Sequence, residues 1–351
     1  MAIIIEMREE ERLPLQKLES FIKKHLKVPN KQLTAKQFGV GHSNLTYLLQ
    51  IGDWEGVLRR PPLGPTAPKA HDMARESQVL ARVHQYFPIA PEVYLFVEKE
   101  ESPLDVPFFI MEKKKGIVLD TKMPEHIEYT SVIGEEISKR MVEQLVALHN
   151  IDPEQSTLLD LAKPKGFMER QVKNWVTRYE RVDTLQIEGT EQLKHYLLTH
   201  VPKEQQATII HYDYKLNNAM FSEDFSKMTG LFDWEMTTVG DPIADVAVAM
   251  SYWMTEEDDS SLKYALGEPP VTVLPGFYSR EQFIESYAAQ SGRDISQFHY
   301  YLTFAYFKLA VIGQQIYYRY LKGQTTDPRF KQFDQLVTNM IHIAIRTMKE
   351  G

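Results

Sequence analysis

The chain has 351 residues, more than one hydrophobic core usually supports, so we expect two domains. Its 40 basic and 48 acidic residues give a net charge of −8, and no basic cluster follows the pattern of a nucleic-acid-binding surface, so nucleic acid is not an expected partner. The sequence has no cysteine, which excludes disulfides, thiolate metal sites and cysteine nucleophiles.

The N-terminal residues lack the pattern of a signal peptide. An apolar start at residues 1–5 turns acidic at once over residues 6–11, without a basic flank or a long apolar stretch. The longest aromatic and apolar run, residues 300–312, is interrupted by Lys308 and is shorter than the roughly 20 residues that a membrane span requires. We therefore expect a cytoplasmic protein without a membrane-spanning segment, and the sequence leaves its oligomeric state open.

The first elements predict a helix followed by a hairpin. Apolar residues three to four apart over residues 13–26 predict an amphipathic helix. A glycine-containing turn then leads into a strand ending near Gln50, and residues 54–60 are typical of the returning strand. Such a turn can cover a triphosphate, because glycine lets backbone amides approach the oxygens and a serine adds a hydroxyl donor. The candidate nucleotide-binding residues are Gly39, Gly41, Ser43 and Asn44, although these residues alone also fit an ordinary hairpin.

A positive charge at the end of the returning strand is a second candidate for the nucleotide. Arg59 stands about where kinases carry the lysine that contacts the inner phosphates. Successive side chains alternate between the faces of a strand, so the register decides whether Arg59 or Arg60 faces the phosphates. Residues 70–86 predict a helix, and Glu76 near its start would match the glutamate that pairs with the strand cation in kinases. A solvated charge at a helix start is the alternative for Glu76.

The apolar strand predicted over residues 107–112 ends in three lysines. An adenine ring could stack on the end of this strand while backbone groups near it bind the ring edge, so Met111, Glu112 and Lys114 are candidate adenine-binding residues. A solvated turn is the alternative for the lysines. Gly116 marks a hinge, and we expect a nucleotide-binding domain over residues 1–113 and a catalytic and substrate-binding domain over residues 114–351.

Two polar segments in the middle of the chain follow short apolar runs. Residues 208–210 predict a strand that leads into His211-Tyr-Asp213-Tyr-Lys215-Leu-Asn-Asn218, and residues 229–232 predict one that leads into Asp233-Trp-Glu235. Strands that end at one edge bring such segments together, so two carboxylates and an amide should meet in a small volume. Common turn formers arranged by chance are the alternative.

This combination suits ATP-dependent phosphoryl transfer. The reaction needs a carboxylate to orient the attacking hydroxyl and oxygen ligands that hold magnesium against the phosphates. Asp213 fits the first role, Asn218 and Asp233 fit the second, and Lys215 could project toward the transferred phosphate. The spacing H-x-D-x-K-x-x-N is that of the protein-kinase catalytic loop. His211 is expected to brace the loop rather than react.

Downstream residues predict mainly helices. Residues 135–149 predict a core helix, and Asp241 is a candidate N-cap with Pro242 at the first helical position. Asp245, one turn into an apolar helix, should be buried and would accept backbone amides of the catalytic loop. The segment 281–349 is helical in pattern and rich in tyrosine, which indicates core contacts and could include an apolar wall of an acceptor pocket.

These motifs, in this order, resemble those of the aminoglycoside-phosphotransferase and choline-kinase-like small-molecule kinases across nearly the whole chain. The segments 58–62 and 71–76 look most like the kinase domain fused to some acyl-CoA dehydrogenases. The resemblance implies an α+β, bilobal protein-kinase-like fold with a small β-rich N-lobe and a larger, mainly helical C-lobe. It also implies ATP and Mg²⁺ as cofactors and a small hydroxylated acceptor, in this branch a hydroxyacyl-CoA.

Several departures from the pattern affect the interpretation. Many relatives have His-Gly-Asp where this chain has Tyr212 as the middle residue, and arginine replaces the strand lysine. The third glycine of protein kinases is absent, and Asp233 is followed by Trp234 rather than Phe-Gly. The two-glycine loop, Trp234 and Arg59 point away from protein kinases. The remaining alternatives are an aminoglycoside or amino-alcohol kinase, a catalytically silent nucleotide-binding pseudokinase, and a hydrolase that uses Ser43 or a metal-activated water. The sequence does not decide between ATP and GTP.

Overall fold

The computed structural model describes residues 4–39, 44–63, 71–258, 260–264, 267–325 and 327–351. The strands in these ranges are β1 (Ile4–Ile5), β2 (Leu33–Phe38), β3 (Leu45–Ile51), β4 (Trp54–Arg60), β5 (Val93–Val97), β6 (Phe108–Met111), β7 (Ile117–Val118), β8 (Thr208–Ile210), β9 (Ala219–Phe221), β10 (Met228–Leu231) and β11 (Thr238–Gly240). The α-helices are α1 (Leu15–His25), α2 (Met73–His84), α3 (Ser131–His149), α4 (Phe167–Glu180), α5 (Thr190–Thr199), α6 (Pro242–Tyr252), α7 (Ser260–Lys263), α8 (Arg280–Ser291), α9 (Phe298–Leu321) and α10 (Phe333–Glu350).

The chain divides into two compact units. The first comprises Met1–Val118 and Asn217–Thr237, and the second comprises Leu119–Leu216 and Thr238–Gly351. The predicted domain division after residue 113 stays a prediction, and the compact units differ from it in two respects. The first segment extends to Val118, and residues 217–237 join the first unit because β9 pairs with β7.

The first unit is built on an antiparallel sheet in the order β1-β2-β3-β4-β6-β5. Alternation along β3 buries Leu45, Tyr47, Leu49 and Ile51 on one face. The apolar side of α1 packs into the same core through Leu18 and Ile22, so the predicted amphipathic helix and hairpin are present. Burial of this apolar surface is the main term that stabilises the unit.

Helix α2 packs against β5 and β6. Asp72 caps its start by accepting a hydrogen bond from the Arg75 amide at 2.9 Å. The helix buries Met73, Val79, Leu80 and Val83, which are the spaced apolar positions of the predicted helix. The same helix carries Glu76, whose residue is only 2% exposed. A carboxylate buried to this degree requires a cationic partner.

A second sheet in the first unit has the order β10-β9-β7. Gly116, just before β7, has a φ of +149°, and a Cβ atom at this position would lie 2.2 Å from the carbonyl oxygen of Phe221 in β9. Only glycine permits this close approach of two backbones. The residue predicted to be a hinge is therefore packed against its own unit.

The second unit is mainly helical. The long helix α9 is buried over much of its length and packs against α4, α6 and α10, while α3 packs against α8. Strands β8 and β11 form a short antiparallel pair that precedes α6. Asp241 caps α6 by accepting from the Ile243 amide at 2.9 Å, as predicted. In the described parts of the chain, no helix is long and apolar enough to cross a membrane.

Candidate active site

The register of the β3–β4 hairpin decides which arginine faces the functional residues. Thr46 pairs with Arg59 and Leu45 pairs with Arg60. Leu45 belongs to the buried face of β3 that packs on α1, so Arg60 shares that face and Arg59 points to the opposite one. The structure therefore selects Arg59, the first of the two candidates.

Arg59 lies among three carboxylates of the first unit. Its Nε atom is 3.1 Å from Oε2 of Glu76, and its Nη2 atom is 2.7 Å from Oδ1 of Asp233 and 3.7 Å from Oε2 of Glu235. The Arg59 side chain is 12% exposed and that of Glu76 is 3% exposed, whereas those of Asp233 and Glu235 are each 29% exposed. The predicted pairing of Arg59 with Glu76 is present, and it extends to the predicted metal ligand Asp233.

The electrostatics of this cluster follow from its unequal charges. Burial raises the pKa of Glu76 to about 7, with Asp233 and Glu235 adding repulsion and Arg59 opposing the rise. Burial disfavours the charged form of Arg59, but the three carboxylates outweigh it and raise the pKa of Arg59. The three carboxylates thus share one guanidinium, and burial favours the protonated form of Glu76.

Side chains next to this cluster fix the backbone and side chain of Glu235. The Asn44 amide donates to Oε2 of Glu235 at 3.2 Å, and the Oδ1 atom of Asn44 is 2.9 Å from Nδ1 of His71. Arg75 donates to the carbonyl oxygens of Glu235 at 3.0 Å and Thr237 at 2.6 Å. The predicted nucleotide-binding residue Asn44 is therefore joined to the cluster through Glu235.

The two predicted magnesium ligands lie on neighbouring turns of the first unit. The amide of Phe232 donates to the carbonyl oxygen of Asn218 at 2.9 Å, which ties the segment before Asp233 to Asn218. Asp233 adopts a left-handed backbone with a φ of +66°, a conformation that aspartate tolerates better than most residues. Such outliers cluster at functional sites.

The residues present fit a magnesium ion. Asn218 and Asp233 offer amide and carboxylate oxygens, the hard donors that Mg²⁺ prefers, and Mg²⁺ needs few protein ligands because it retains water and phosphate oxygens. The carboxylates around Arg59 also carry surplus negative charge that a divalent cation would balance. The ion would neutralise charge on a bound triphosphate.

The predicted adenine-binding residues lie at the end of β6. Met111 is buried and pairs with Val57 and Val93 of the neighbouring strands. The Glu112 amide already donates to the Glu92 carbonyl at 2.8 Å, so this N–H group is committed to the sheet. The Lys114 ammonium lies 2.7 Å from Glu112. Recognition of an adenine edge here would therefore use backbone groups other than the Glu112 amide.

In the second unit, Asp245 holds the segment that follows β8. Its carboxylate accepts the amides of His211 at 2.6 Å and Tyr212 at 2.8 Å, as predicted for a buried acceptor of loop amides. Burial alone would raise the pKa of Asp245, but the contact with His149 and these hydrogen bonds lower it below its usual value. His211 is fully buried and accepts from the Asp213 amide at 3.3 Å, so it braces the loop.

A buried network supports Asp245 from α3 and α8. The ring of His149 contacts Oδ2 of Asp245 at 3.1 Å through Nε2 and the hydroxyl of Tyr287 at 2.7 Å through Nδ1. Arg293 donates to the Tyr287 hydroxyl at 3.1 Å and to the His149 carbonyl at 2.7 Å. Burial lowers the pKa of His149, which favours the neutral ring. The network fixes the orientation of Asp245 and, through it, the loop.

Asp213 and Lys215 project from this loop as a pair. The Lys215 ammonium is 2.9 Å from Oδ2 of Asp213, and their side chains are 25% and 17% exposed. The same ammonium lies 5.0 Å from the centre of the Tyr252 ring at the end of α6. A partly exposed carboxylate beside a cation and an aromatic ring can accept a proton from a small hydroxylated molecule.

The sequence motifs predict most of these site residues but give no indication of others. Gly39 follows the end of β2, whereas Gly41 and Ser43 lie outside the described residues. The sequence motifs give no role to Glu235. Its position two residues after Asp233, behind the same strand, does indicate that the two carboxylates lie close together. The motifs give no role to Arg75 either, and the sequence carries no sign that its side chain would bind backbone carbonyls. The catalytic, nucleotide and metal roles of all these residues stay predictions.

Comparison with known proteins identifies the family. A family model described as "Phosphotransferase enzyme family" matches residues 34–269. The chain belongs to this phosphotransferase family. The resemblance inferred from the motifs is thus confirmed. Helices α8, α9 and α10 lie beyond the matched range.

One relative is the mouse protein "Acyl-CoA dehydrogenase family member 10", which is 30% identical over a match covering 88% of this chain and 28% of the mouse protein. The chain spans less than half the length of the curated relatives that it matches. This similarity agrees with the predicted branch, the kinase domains fused to acyl-CoA dehydrogenases.

Solved structures of this phosphotransferase family confirm the predicted fold. A Ralstonia eutropha protein assigned as an aminoglycoside phosphotransferase matches with a TM-score of 0.81 and 25% identity, covering 97% of this chain and 99% of that chain. The aminoglycoside phosphotransferase APH(4)-Ia, in a complex with AMP-PNP and hygromycin B, matches with a TM-score of 0.60 and 13% identity over 94% of this chain and 98% of that chain. The second likeness concerns the fold alone. The kinase-like fold is therefore confirmed.

Proposed function

We propose that this phosphotransferase moves the γ-phosphate of ATP, with Mg²⁺, to a hydroxyl group of a small molecule, and that this molecule is a hydroxyacyl-CoA. The observation that carries the proposal is the cluster in which Arg59 contacts both Glu76 and Asp233. A strand cation that contacts a helix glutamate and lies beside an aspartate suited to magnesium resembles the arrangement that protein kinases use for phosphoryl transfer.

The first unit would bind the nucleotide. Arg59 would contact the inner phosphates, with Glu76 limiting its freedom, while Asn218 and Asp233 would hold the magnesium ion. Backbone groups near Glu112 and Lys114 would bind the adenine edge beside Met111, and the Gly39–Asn44 segment would cover the phosphates. When bound, the ion would supply charge neutralisation on the triphosphate.

The second unit would handle the acceptor. Asp213 would orient the acceptor hydroxyl and receive its proton as the hydroxyl oxygen forms a bond to the γ-phosphorus. The bond between that phosphorus and the β–γ bridging oxygen breaks, and ADP leaves with the electron pair. Lys215, held 2.9 Å from Asp213, would contribute positive charge to the transferred phosphate.

Two similar proteins support different classes of acceptor. The matched mouse relative carries the name of an acyl-CoA dehydrogenase family member, which supports an acyl-CoA compound with a hydroxyl group as the acceptor. A second candidate, an aminoglycoside, is favoured by the match to the Ralstonia eutropha structure over nearly the whole chain. Both acceptors present a hydroxyl, so the two candidates share the proposed chemistry and differ in the pocket that binds the rest of the molecule.

A transfer screen tests the proposal. Labelled γ-phosphate from ATP is followed into hydroxyacyl-CoAs, aminoglycosides, amino alcohols and sugars, with Asp213→Asn as the blank and Asp53→Asn as the matched control. Asp53 is exposed in the β3–β4 turn, where asparagine is well tolerated. We expect label in hydroxyacyl-CoAs with the wild type and the Asp53→Asn variant, and none with the Asp213→Asn variant.

Two results would contradict the proposal in different ways. If only aminoglycosides gained label, the hydroxyacyl-CoA acceptor would be wrong and the proposed phosphotransfer chemistry would be retained. ATP binding by calorimetry without transfer to any acceptor would favour the silent nucleotide-binding alternative instead.

A further inference from the structure

Helix α9 contains a buried lysine that the proposed reaction does not yet use. Lys308 is 4% exposed and lies in an otherwise aromatic and apolar stretch of the helix. A lysine is seldom this buried unless its ammonium has partners, because removing the charge from water is costly. Lys308 also lies outside the residues 34–269 that the family model matches.

The ammonium of Lys308 contacts the catalytic loop from the side of the helix. It donates to the carbonyl oxygen of Tyr212 at 3.3 Å and lies 3.6 Å from the centre of the Tyr212 ring. A second ring, that of Trp175 in α4, lies 5.8 Å from the ammonium. The carbonyl and the ring faces together replace part of the hydration that the ammonium loses.

Tyr212 occupies an unusual backbone position for a bulky residue. Its φ is +65°, in the left-handed region that glycine adopts without strain. Two contacts hold the backbone before and after the Cα atom of Tyr212: Asp245 accepts the Tyr212 amide at 2.8 Å, and Lys308 donates to the Tyr212 carbonyl oxygen. The next residue in the chain is Asp213.

Charged groups from each side determine the state of Lys308. Burial lowers the pKa of Lys308 to about 8. Asp213 from the loop and Asp245 from α6 favour its charged form, whereas Lys215 from the loop and Arg178 from α4 disfavour it. Lys308 is therefore charged at neutral pH and loses its charge as the pH rises through a range accessible to experiment.

We propose that Lys308 is a positioning residue for Asp213, in that its ammonium clamps Tyr212 in the left-handed conformation that sets the direction of the Asp213 carboxylate. The expected effect of Lys308 on the rate of phosphate transfer rests on the proposed function. Its expected effect on the conformational order of the loop rests on the loop geometry alone. Tyr212 supplies the ring and the left-handed backbone, and Lys308 of α9 contacts both the ring and the carbonyl oxygen.

The first test is kinetic and uses Lys308→Met, which removes the charge and keeps a similar apolar volume. We expect kcat to fall at least about tenfold with an unchanged KM for ATP, because the variant affects the loop and not the nucleotide residues. In the wild type, kcat should decline as the pH rises through about 8. In Lys308→Met this decline should be absent. Lys322→Met is the matched control, because Lys322 is exposed directly after the same helix and should leave both quantities unchanged.

The second test needs no turnover. Backbone amide hydrogen exchange of residues 211–216 is measured on the nucleotide-free protein and corrected for intrinsic exchange. We expect protection to fall at least about tenfold in Lys308→Met and, in the wild type, as the pH rises through about 8. The pH dependence of hydrogen exchange in the wild type tests the proposal even if the Lys308→Met variant does not fold.

The outcomes separate the two proposals. A Lys308→Met variant with wild-type kcat and pH profile, or loop protection that is insensitive to pH in the wild type, would overturn the role of Lys308. Loop protection that behaves as expected in a wild type that transfers phosphate to no acceptor would support the clamp and refute the proposed function.

Discussion

Replacing Glu76 by glutamine should make the stability of the protein less sensitive to pH. In the folded protein, burial raises the pKa of Glu76 to about 7 from a usual value of 4.5. Below pH 4.5 the carboxyl group is protonated in both the folded and the unfolded state, so its ionisation does not change the free energy of unfolding. Between these values the folded state binds more protons than the unfolded state, so stability falls as the pH rises, and the loss is complete above the folded pKa.

The magnitude follows from the size of the shift. One pKa unit corresponds to about 1.4 kcal/mol, so the rise from 4.5 to about 7 amounts to roughly 3 kcal/mol. Glutamine keeps the size of the side chain and cannot ionise, and Arg59 retains Asp233 and Glu235 as partners. The stability of Glu76→Gln relative to the wild type should therefore increase by about 3 kcal/mol between pH 4.5 and pH 8.

The assay is urea unfolding of the magnesium-free and nucleotide-free protein across this pH range. Glu285→Gln serves as the control for the same replacement at the surface, because Glu285 is exposed on α8 and lies outside the Arg59 cluster. The reasoning would be refuted if the stability of Glu76→Gln relative to the wild type did not change with pH, or if it fell as the pH rises. Such a result would mean that the ion pair with Arg59 outweighs burial.

Further predictions concern residues that hold the site. Asp245→Asn should cost about 3 kcal/mol in urea unfolding and reduce phosphate transfer, because the two loop N–H groups donate to the two different carboxylate oxygens and the NH2 group of asparagine would replace one of these acceptors. Wild-type values for both quantities would contradict this. Gly116→Ala should destabilise by more than about 2 kcal/mol, since its Cβ would lie 2.2 Å from the Phe221 carbonyl; unchanged unfolding would refute that. Tyr287→Phe should cost about 1 kcal/mol through the lost contact with His149, measured the same way.

The position of Arg59 in the site was predictable where residue spacing determines geometry. The hairpin turn at Gly52, with a φ of +64°, pairs Ile51 with Trp54, and that register places Arg59 opposite Thr46. A turn of this type fixes strand register, so the choice between Arg59 and Arg60 was present in the sequence. The segment from His211 to Asn218 was predictable because its residue spacing and the short apolar strand before it are both visible in the sequence, and its catalytic role stays a prediction.

Other features depended on contacts between residues distant in the chain. The sequence showed Lys308 only as a charge that interrupts an apolar run, and nothing in its neighbours indicates that it meets Tyr212, which is 96 residues away. The addition of residues 217–237 to the first unit depends on the pairing of β9 with β7, two short strands with weak sequence signals. Neither local propensity nor periodicity encodes such pairings.

The most direct test of the central claim is the magnesium dependence of ATP turnover in Asp233→Ala compared with the wild type. We predict that turnover falls about 1,000-fold, because losing the metal ligand removes several kcal/mol of charge stabilisation in the transition state. Circular dichroism of the variant should match that of the wild type, since Asp233 is partly exposed and Arg59 keeps Glu76. Magnesium-dependent turnover in Asp233→Ala within tenfold of the wild type would contradict the claim that this cluster performs phosphoryl transfer.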